Sequence, residues 1–234
     1  MATTTHSPTV SESRRFPIRP LWIGLAAFVL IVMAIGLQAG MPIYRQQSAQ
    51  AMIKRVKGEF QVQKGGPDWL RRWIGDERMT VFDVVERAQL RGRPVTDPDV
   101  AKLRGLTSLH FVSLGRTQVT DTGLGYFREL TGVQGAGFDG TQITDAGLLH
   151  LGGLTNLQFL TLDDTQITDA GIAHLKDLTG LQSLSLANTA VTDSGLAHLK
   201  GLPHLRNLRI PSTRITDSGI ADLQRALPEL EIYR

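Results

Sequence analysis

The pair Thr-Asp recurs at Thr96-Asp97, Thr120-Asp121, Thr144-Asp145, Thr168-Asp169, Thr192-Asp193 and Thr216-Asp217, always 24 residues apart. Other columns keep the same period. Before each Thr stands Val95, Val119, Ile143, Ile167, Val191 or Ile215; two residues after Asp stands Gly123, Gly147, Gly171, Gly195 or Gly219. Self-similarity at a fixed period of about 20–50 residues leaves few folds open. A unit this short cannot bury its own apolar face, so neighbours must stack and share one core.

One full unit reads L-x-x-L-x-x-L-x-L-x-x-T-x-[IV]-T-D-x-G-[LI]-x-x-[LF]. A clean copy is Leu178, Leu181, Leu184, Leu186, Thr189, Val191, Thr192, Asp193, Gly195, Leu196 and Leu199. The L-x-L step alternates in and out, as a strand with one buried face requires. The second Thr N-caps a short helix, and the Asp after it suits the positive helix end. The helix then buries an apolar pair at i and i+3, such as Leu196 and Leu199. This is the leucine-rich-repeat signature. Thr117, Thr141, Thr165, Thr189 and Thr213 occupy the usual Asn/Cys position, where a hydroxyl can still hydrogen-bond turn backbone inside the stack.

The register runs on at both ends. Phe82, Val85, Ala88 and Leu90 align with Leu106, Leu109, Val112 and Leu114, and Leu227, Leu230 and Ile232 close the series at a shortened interval. The predicted fold is an α/β solenoid over residues 82–234. Short parallel strands form its concave face, near 87–91, 111–115, 135–139, 159–163, 183–187, 207–210 and 229–233. Short helices form its convex face.

The front of the chain differs. Residues 1–105 carry 16 Lys+Arg against 9 Asp+Glu, whereas residues 106–234 carry 9 against 13. The basic excess comes from this front, and no basic face with interleaved aromatics appears in the rest, which speaks against nucleic acid. After a polar tail over 1–20, residues 21–37 run LWIGLAAFVLIVMAIGL without a charge. With Pro20 and the residues to Gly40 this reaches about 20 residues, enough to span a bilayer. The reading is a transmembrane signal-anchor helix over 21–40. The alternative is a cleaved signal peptide with Ala34-Ile35-Gly36 as its small-x-small site, although the run is long for a signal core. Arg14, Arg15 and Arg19 lie nearer the span than Arg45, Lys54 and Arg55, which places the N-terminus inside and the repeats outside the cytoplasm.

Residues 41–81 read as a helix over Gln46–Lys57, a strand over Phe60–Val62 and a helix over Trp69–Ile74 after Pro67-Asp68. In the second helix Trp69, Leu70, Trp73 and Ile74 share a face opposite Arg71 and Arg72. The region is expected to cap the first repeat, as a solenoid end requires. An amphipathic helix resting on the bilayer is the competing expectation.

The repeats QITDAGLLHL (142–151) and QITDAGIAHLK (166–176) resemble bacterial leucine-rich-repeat proteins, close cousins of the cysteine-containing repeats in F-box substrate adaptors. The apolar run followed by GPDWLRRWIGDE (66–77) resembles membrane-anchored members of that bacterial group. The resemblance implies a protein-interaction scaffold. No F-box-like helical module is present, so the adaptor role does not carry over.

Chemistry is sparse. Zero cysteines exclude thiolate catalysis, disulfides and Cys-based metal sites. Gly135-Ala136-Gly137-Phe138-Asp139-Gly140 matches the dinucleotide pattern G-x-G-x-x-G, but a repeat strand runs through it where a helix N-terminus is needed. His150, His174 and His198 recur on consecutive helices, whose packing distance of roughly 8–10 Å is awkward for one zinc. No nucleophile has a base beside it, so neither catalysis nor a cofactor or metal is expected. The outward columns of the strands remain. They place Arg87, Phe111, Ser113, Asp139, Phe159, Thr161, Asp163, Ser185, Asn207 and Arg209 on the concave face, basic at both ends and acidic between. Phe111 and Phe159 either offer a protein-binding surface or fill gaps between strands. The expected function is a non-catalytic, membrane-anchored scaffold that binds partner proteins through this face. A structural envelope protein meeting wall or matrix polymer, or a secreted form, is the alternative.

Overall fold

The apolar columns turn inward as the 24-residue period requires. Leu178, Leu181, Leu184, Leu186, Val191, Leu196 and Leu199 are each no more than 1% exposed, and their equivalents in neighbouring units join them in one continuous core. A buried leucine contributes about 1.5–3 kcal/mol, and no single unit could collect that alone. The computed structural model describes residues 42–66 and 68–234. The tail and apolar run of residues 1–40 lie outside the described residues, and no described helix is long and apolar enough to cross a membrane.

Among the described residues, seven parallel strands follow chain order: β2 (Val84–Gln89), β3 (Phe111–Ser113), β4 (Gly135–Gly137), β5 (Phe159–Thr161), β6 (Ser183–Ser185), β7 (Asn207–Arg209) and β8 (Glu231–Tyr233). Each strand pairs with the next at an offset of 24 residues. Strand β1 (Glu59–Gln63) adds an antiparallel eighth, with a register shift between Gln61 and Val62. Short helices occupy the other side of each unit: α4 (Asp97–Val100), α5 (Asp121–Leu124), α6 (Asp145–Leu148), α7 (Asp169–Ala173), α8 (Asp193–Leu199) and α9 (Asp217–Ala226).

The Thr-Asp pairs do more than cap helices. The Thr144 hydroxyl accepts from the Ala146 amide of its own helix and donates to the Asp121 carboxylate of the preceding repeat, which also receives the Thr144 amide at 2.8 Å. The same arrangement links Asp97 to Thr120, Asp145 to Thr168, Asp169 to Thr192 and Asp193 to Thr216. These charge-assisted bonds tie each unit to the next. They also explain the glycine column. A Cβ at Gly123, Gly147, Gly171, Gly195 or Gly219 would stand 2.2–2.5 Å from the carboxylate oxygen of that rung. The first Thr column closes the turn, with Thr117, Thr141, Thr165 and Thr189 buried and donating to the carbonyl three residues earlier.

Helix α1 (42–55) and the turn after it cover the first repeat, burying Ala49, Met52, Ile53 and Val56 in the common core. Helices α2 (Asp68–Ile74) and α3 (Asp76–Met79) follow β1. In α2, Trp69 and Trp73 are 66% and 79% exposed, so these tryptophans take no part in the cover. The polypeptide from Met41 to Arg234 forms one compact unit.

Asp99 and Asp193 make stability pH-dependent, beside Asp76, whose carboxyl is lowered by hydrogen bonds from Lys64 and Arg71. Burial would raise the Asp99 carboxyl, but hydrogen bonds from Thr96 and Lys102 and the charge of Arg55 outweigh it and hold the pKa below the usual carboxylate value. Hydrogen bonds from the Thr216 hydroxyl and amide lower that of Asp193. A carboxyl with a depressed folded pKa contributes stability above its unfolded value of about 3.9 and loses it as pH falls through the folded value. The thermal midpoint is therefore expected to be flat from roughly pH 7 to 5 and to fall below about pH 4. Melts followed by circular dichroism should show a smaller acid drop in the Asp99→Asn/Asp193→Asn variant; an unchanged drop would remove these groups as its source.

Candidate functional site

The 24-residue offset lines up the outward residues of the strands. Arg87, Phe111, Gly135, Phe159, Ser183 and Asn207 form one row, and Gln89, Ser113, Gly137, Thr161, Ser185 and Arg209 the next. Across the first row runs a stack. The Arg87 guanidinium sits 3.9 Å from the centroid of the Phe111 ring. Phe111 and Phe159 have centroids 6.4 Å apart and planes tilted by 32°. They belong to strands β3 and β5, so the contact crosses β4, and glycine makes it possible. A Cβ at Gly135 would lie 2.5 Å from Phe111 Cδ1. Without it the Phe111 ring lies down over β4 and meets Phe159.

The two phenylalanines differ in their surroundings. Phe111 is half-buried in the gap above Gly135, whereas Phe159 is 43% exposed. A shallow cleft of about 250 Å³ opens beside the stack, walled by Arg87, Phe111 and Phe159 and bordered by Gln89, Ser113, Gly137 and Thr161. Its floor is the small-residue strand β4. A cation on one ring and a free edge on the other give the cleft an apolar body with a positive end.

The acidic middle expected from the sequence is neutralised in place. Asp139 pairs with Arg91 and accepts a hydrogen bond from Thr161. Gly115 leaves the passage: a Cβ there would stand 2.6 Å from Asp139 Oδ2 and 2.7 Å from Arg91 Nη1. Asp163 accepts from the Ser185 hydroxyl and the Ala187 amide and pairs with Arg209 at 2.7 Å. Asp139 and Ser185 are buried by these contacts, and Asp163 and Thr161 are half-buried. Ser113 is half-buried too, while Asn207 and Arg209 are exposed. Of the ten candidate residues, the structure brings Arg87, Phe111, Ser113, Phe159 and Thr161 to one cleft; Asp163, Ser185 and Arg209 form a separate polar network. Gly135, Gly137 and Arg91 were absent from the candidate set. Glycine at 135 between Phe111 and Phe159, and at 137 between Ser113 and Thr161, was the signal for two of them.

The G-x-G-x-x-G segment is strand β4 followed by buried Phe138, which leaves no helix N-terminus to meet a phosphate. Among the described residues no group of three or more His, Asp or Glu is placed to hold a metal ion. His150 Nδ1 is buried without a hydrogen-bond partner, while His198 of the same column is exposed.

No family model matches the chain, and no curated protein matches it. Among solved structures it is similar to two internalins of Listeria monocytogenes. The first, inlF, is 23% identical with a TM-score of 0.41, over 58% of this chain and 43% of that one. The second, internalin C2, is 28% identical with a TM-score of 0.49, over 65% of this chain and 74% of that one. A leucine-rich-repeat protein of Leptospira interrogans is 24% identical with a TM-score of 0.45, over 58% of this chain and 33% of that one. The chain thus spans less than half the length of the first and third. The likeness to cysteine-containing repeats is corrected: the chain has no cysteine. Thr117, Thr141, Thr165 and Thr189 fill that position through a hydroxyl-to-carbonyl bond that a thiol donates only weakly.

Proposed function

We propose that the repeat domain is a non-catalytic binding module that captures a partner protein on the outward face of its sheet, with the Arg87–Phe111–Phe159 stack as anchor. The single observation that carries this is Phe159, a large apolar ring left 43% exposed beside a cleft in an otherwise small and polar face. Buried aromatic and arginine anchors dominate protein interfaces. A stacked guanidinium still offers its in-plane N–H donors, so the cleft suits a partner segment with an apolar or aromatic side chain beside a carboxylate. Asn207 and Arg209 extend the same face as rim contacts.

A second reading has the repeat domain released from the membrane or held at the envelope. There the same face would meet a matrix or wall component. Affinity capture with residues 41–234 followed by measurement of Kd tests the reading. Phe159→Arg is expected to weaken the captured partner by about 30-fold, the size of a hot-spot loss near 2 kcal/mol, with thermal unfolding unchanged. Asp163 is unsuited to this test, because its replacement breaks the Ser185–Arg209 network. Capture unaffected by Phe159→Arg would remove the sheet face as the binding site, and salt-labile retention on isolated envelope alone would support the polymer reading.

A further inference from the structure

A second surface lies where the chain enters the domain, on the helices before and after β1. Trp69 and Trp73 stand four residues apart on one side of α2, both largely in solvent. Tryptophan is enriched where a surface is apolar on one side and wet on the other. Their exposure is built in, because Arg71 pins the helix from another side. Its guanidinium donates to the Asp83 carboxylate at 2.6 Å, the Gly65 carbonyl at 2.7 Å and Asp76 at 3.0 Å. Tyr44, in the first turn of α1, is 69% exposed as well. Both helices attach to one short segment at the start of β2. Gln46 accepts the Val85 amide at 2.9 Å, Gln50 donates to the Asp83 carbonyl, and Arg71 holds the Asp83 side chain.

The charge of this end is distinctive. Residues 42–93 carry eleven Lys+Arg against six Asp+Glu, a net +5, whereas residues 106–234 are net −4. Indole and phenol rings favour the water–lipid interface, where one end of the ring is apolar and the other wet. Basic residues near an anionic leaflet are attracted to it. Only residues 38–41 separate α1 from the uncharged run of 21–37.

We infer that Tyr44, Trp69 and Trp73, with the basic residues around them, form a surface that rests on a bilayer carrying anionic lipid. The net negative repeats are repelled by the same surface, which leaves the sheet face open to partners. The inference leans on the reading of residues 21–37 as a membrane segment, and its test does not use them.

The chain has three tryptophans, Trp22, Trp69 and Trp73, so residues 41–234 carry only the two in question. Their fluorescence reports on this patch alone. Vesicles of equal parts phosphatidylcholine and phosphatidylglycerol are expected to float with residues 41–234 and to shift the emission to the blue. Binding should weaken at least tenfold in Trp69→Ser/Trp73→Ser and in Arg72→Glu/Arg78→Glu. It should be reversed by salt that shortens the screening length to about 3 Å, near 1 M. Phe159→Arg should leave it unchanged, which separates this surface from the sheet face. Absence of flotation and of any spectral shift would overturn the inference, as would equal binding to pure phosphatidylcholine. A blue shift that grows with protein concentration in the absence of lipid would assign the patch to a second copy of the chain instead.

Discussion

Gly171→Ala is expected to destabilise the protein by about 3 kcal/mol, although it places alanine in a helix where it should gain roughly 0.5–1 kcal/mol over glycine. The sign is the test. Gly171 has ordinary helical backbone, so the objection to a side chain is spatial. Its Cβ would stand 2.3 Å from Asp145 Oδ1 and 3.1 Å from Ile167 Cγ2. The carboxylate must then swing away from the Thr168 amide and hydroxyl, which it holds at 2.8 and 2.6 Å. Two hydrogen bonds to a charged group are lost, at roughly 1.5–3 kcal/mol each, and water recovers part of that. In an Asp145→Ala background the rung is already gone, and Gly171→Ala should become neutral or stabilising. Urea unfolding of the four proteins measures the cycle. A raised midpoint for Gly171→Ala alone would show that the rung yields at no cost.

Phe138→Ala is expected to cost about 3–5 kcal/mol, the range for a large aromatic removed from a closed core. Phe138 takes the place held by Leu114, Leu162 and Leu186 in other units. Phe127 takes that of Leu151, Leu175 and Leu199. The two rings are fully buried and meet edge to face at 5.1 Å and 68°. Their bulk answers a deficit, since Ala136 points inward where neighbouring strands carry Val112 and Leu160. Phe138→Leu alone should therefore open a void and cost about 1–2 kcal/mol, and Phe138→Leu/Ala136→Leu should restore most of it. Denaturant midpoints decide between this compensation and simple addition, which would mean that the two sites do not share one space.

The same strand joins the core to the proposed binding face. With glycine at 135 and 137 and alanine at 136, β4 carries almost no side chain on either face. Phe127 and Phe138 make up the loss inside, and Phe111 makes it up outside by lying over Gly135. In the sequence these glycines read as a dinucleotide-like motif that the repeat register contradicts. Their consequence, a cleft beside two stacked rings, follows from what neighbouring units place over them.

The repeat period determined the solenoid, the strand order, the 24-residue pairing and the division into inward and outward columns. Each of these follows from chain connectivity and apolar periodicity, which one unit repeats to the next. It also determined the buried Thr turn, because that bond spans three residues of one unit. What joins units lay beyond it. The Asp-to-Thr rungs, the glycine column that clears them, and the pairs Arg91–Asp139 and Arg209–Asp163 depend on distances between units. Long side chains reach across two repeats only when the stack sets their separation. The cover at the entry end was likewise decided in three dimensions. Helix α1 and α2 both offer apolar residues in the sequence; α1 has its Ala49, Met52 and Ile53 in the common core, while Arg71 holds α2 with Trp69 and Trp73 in solvent.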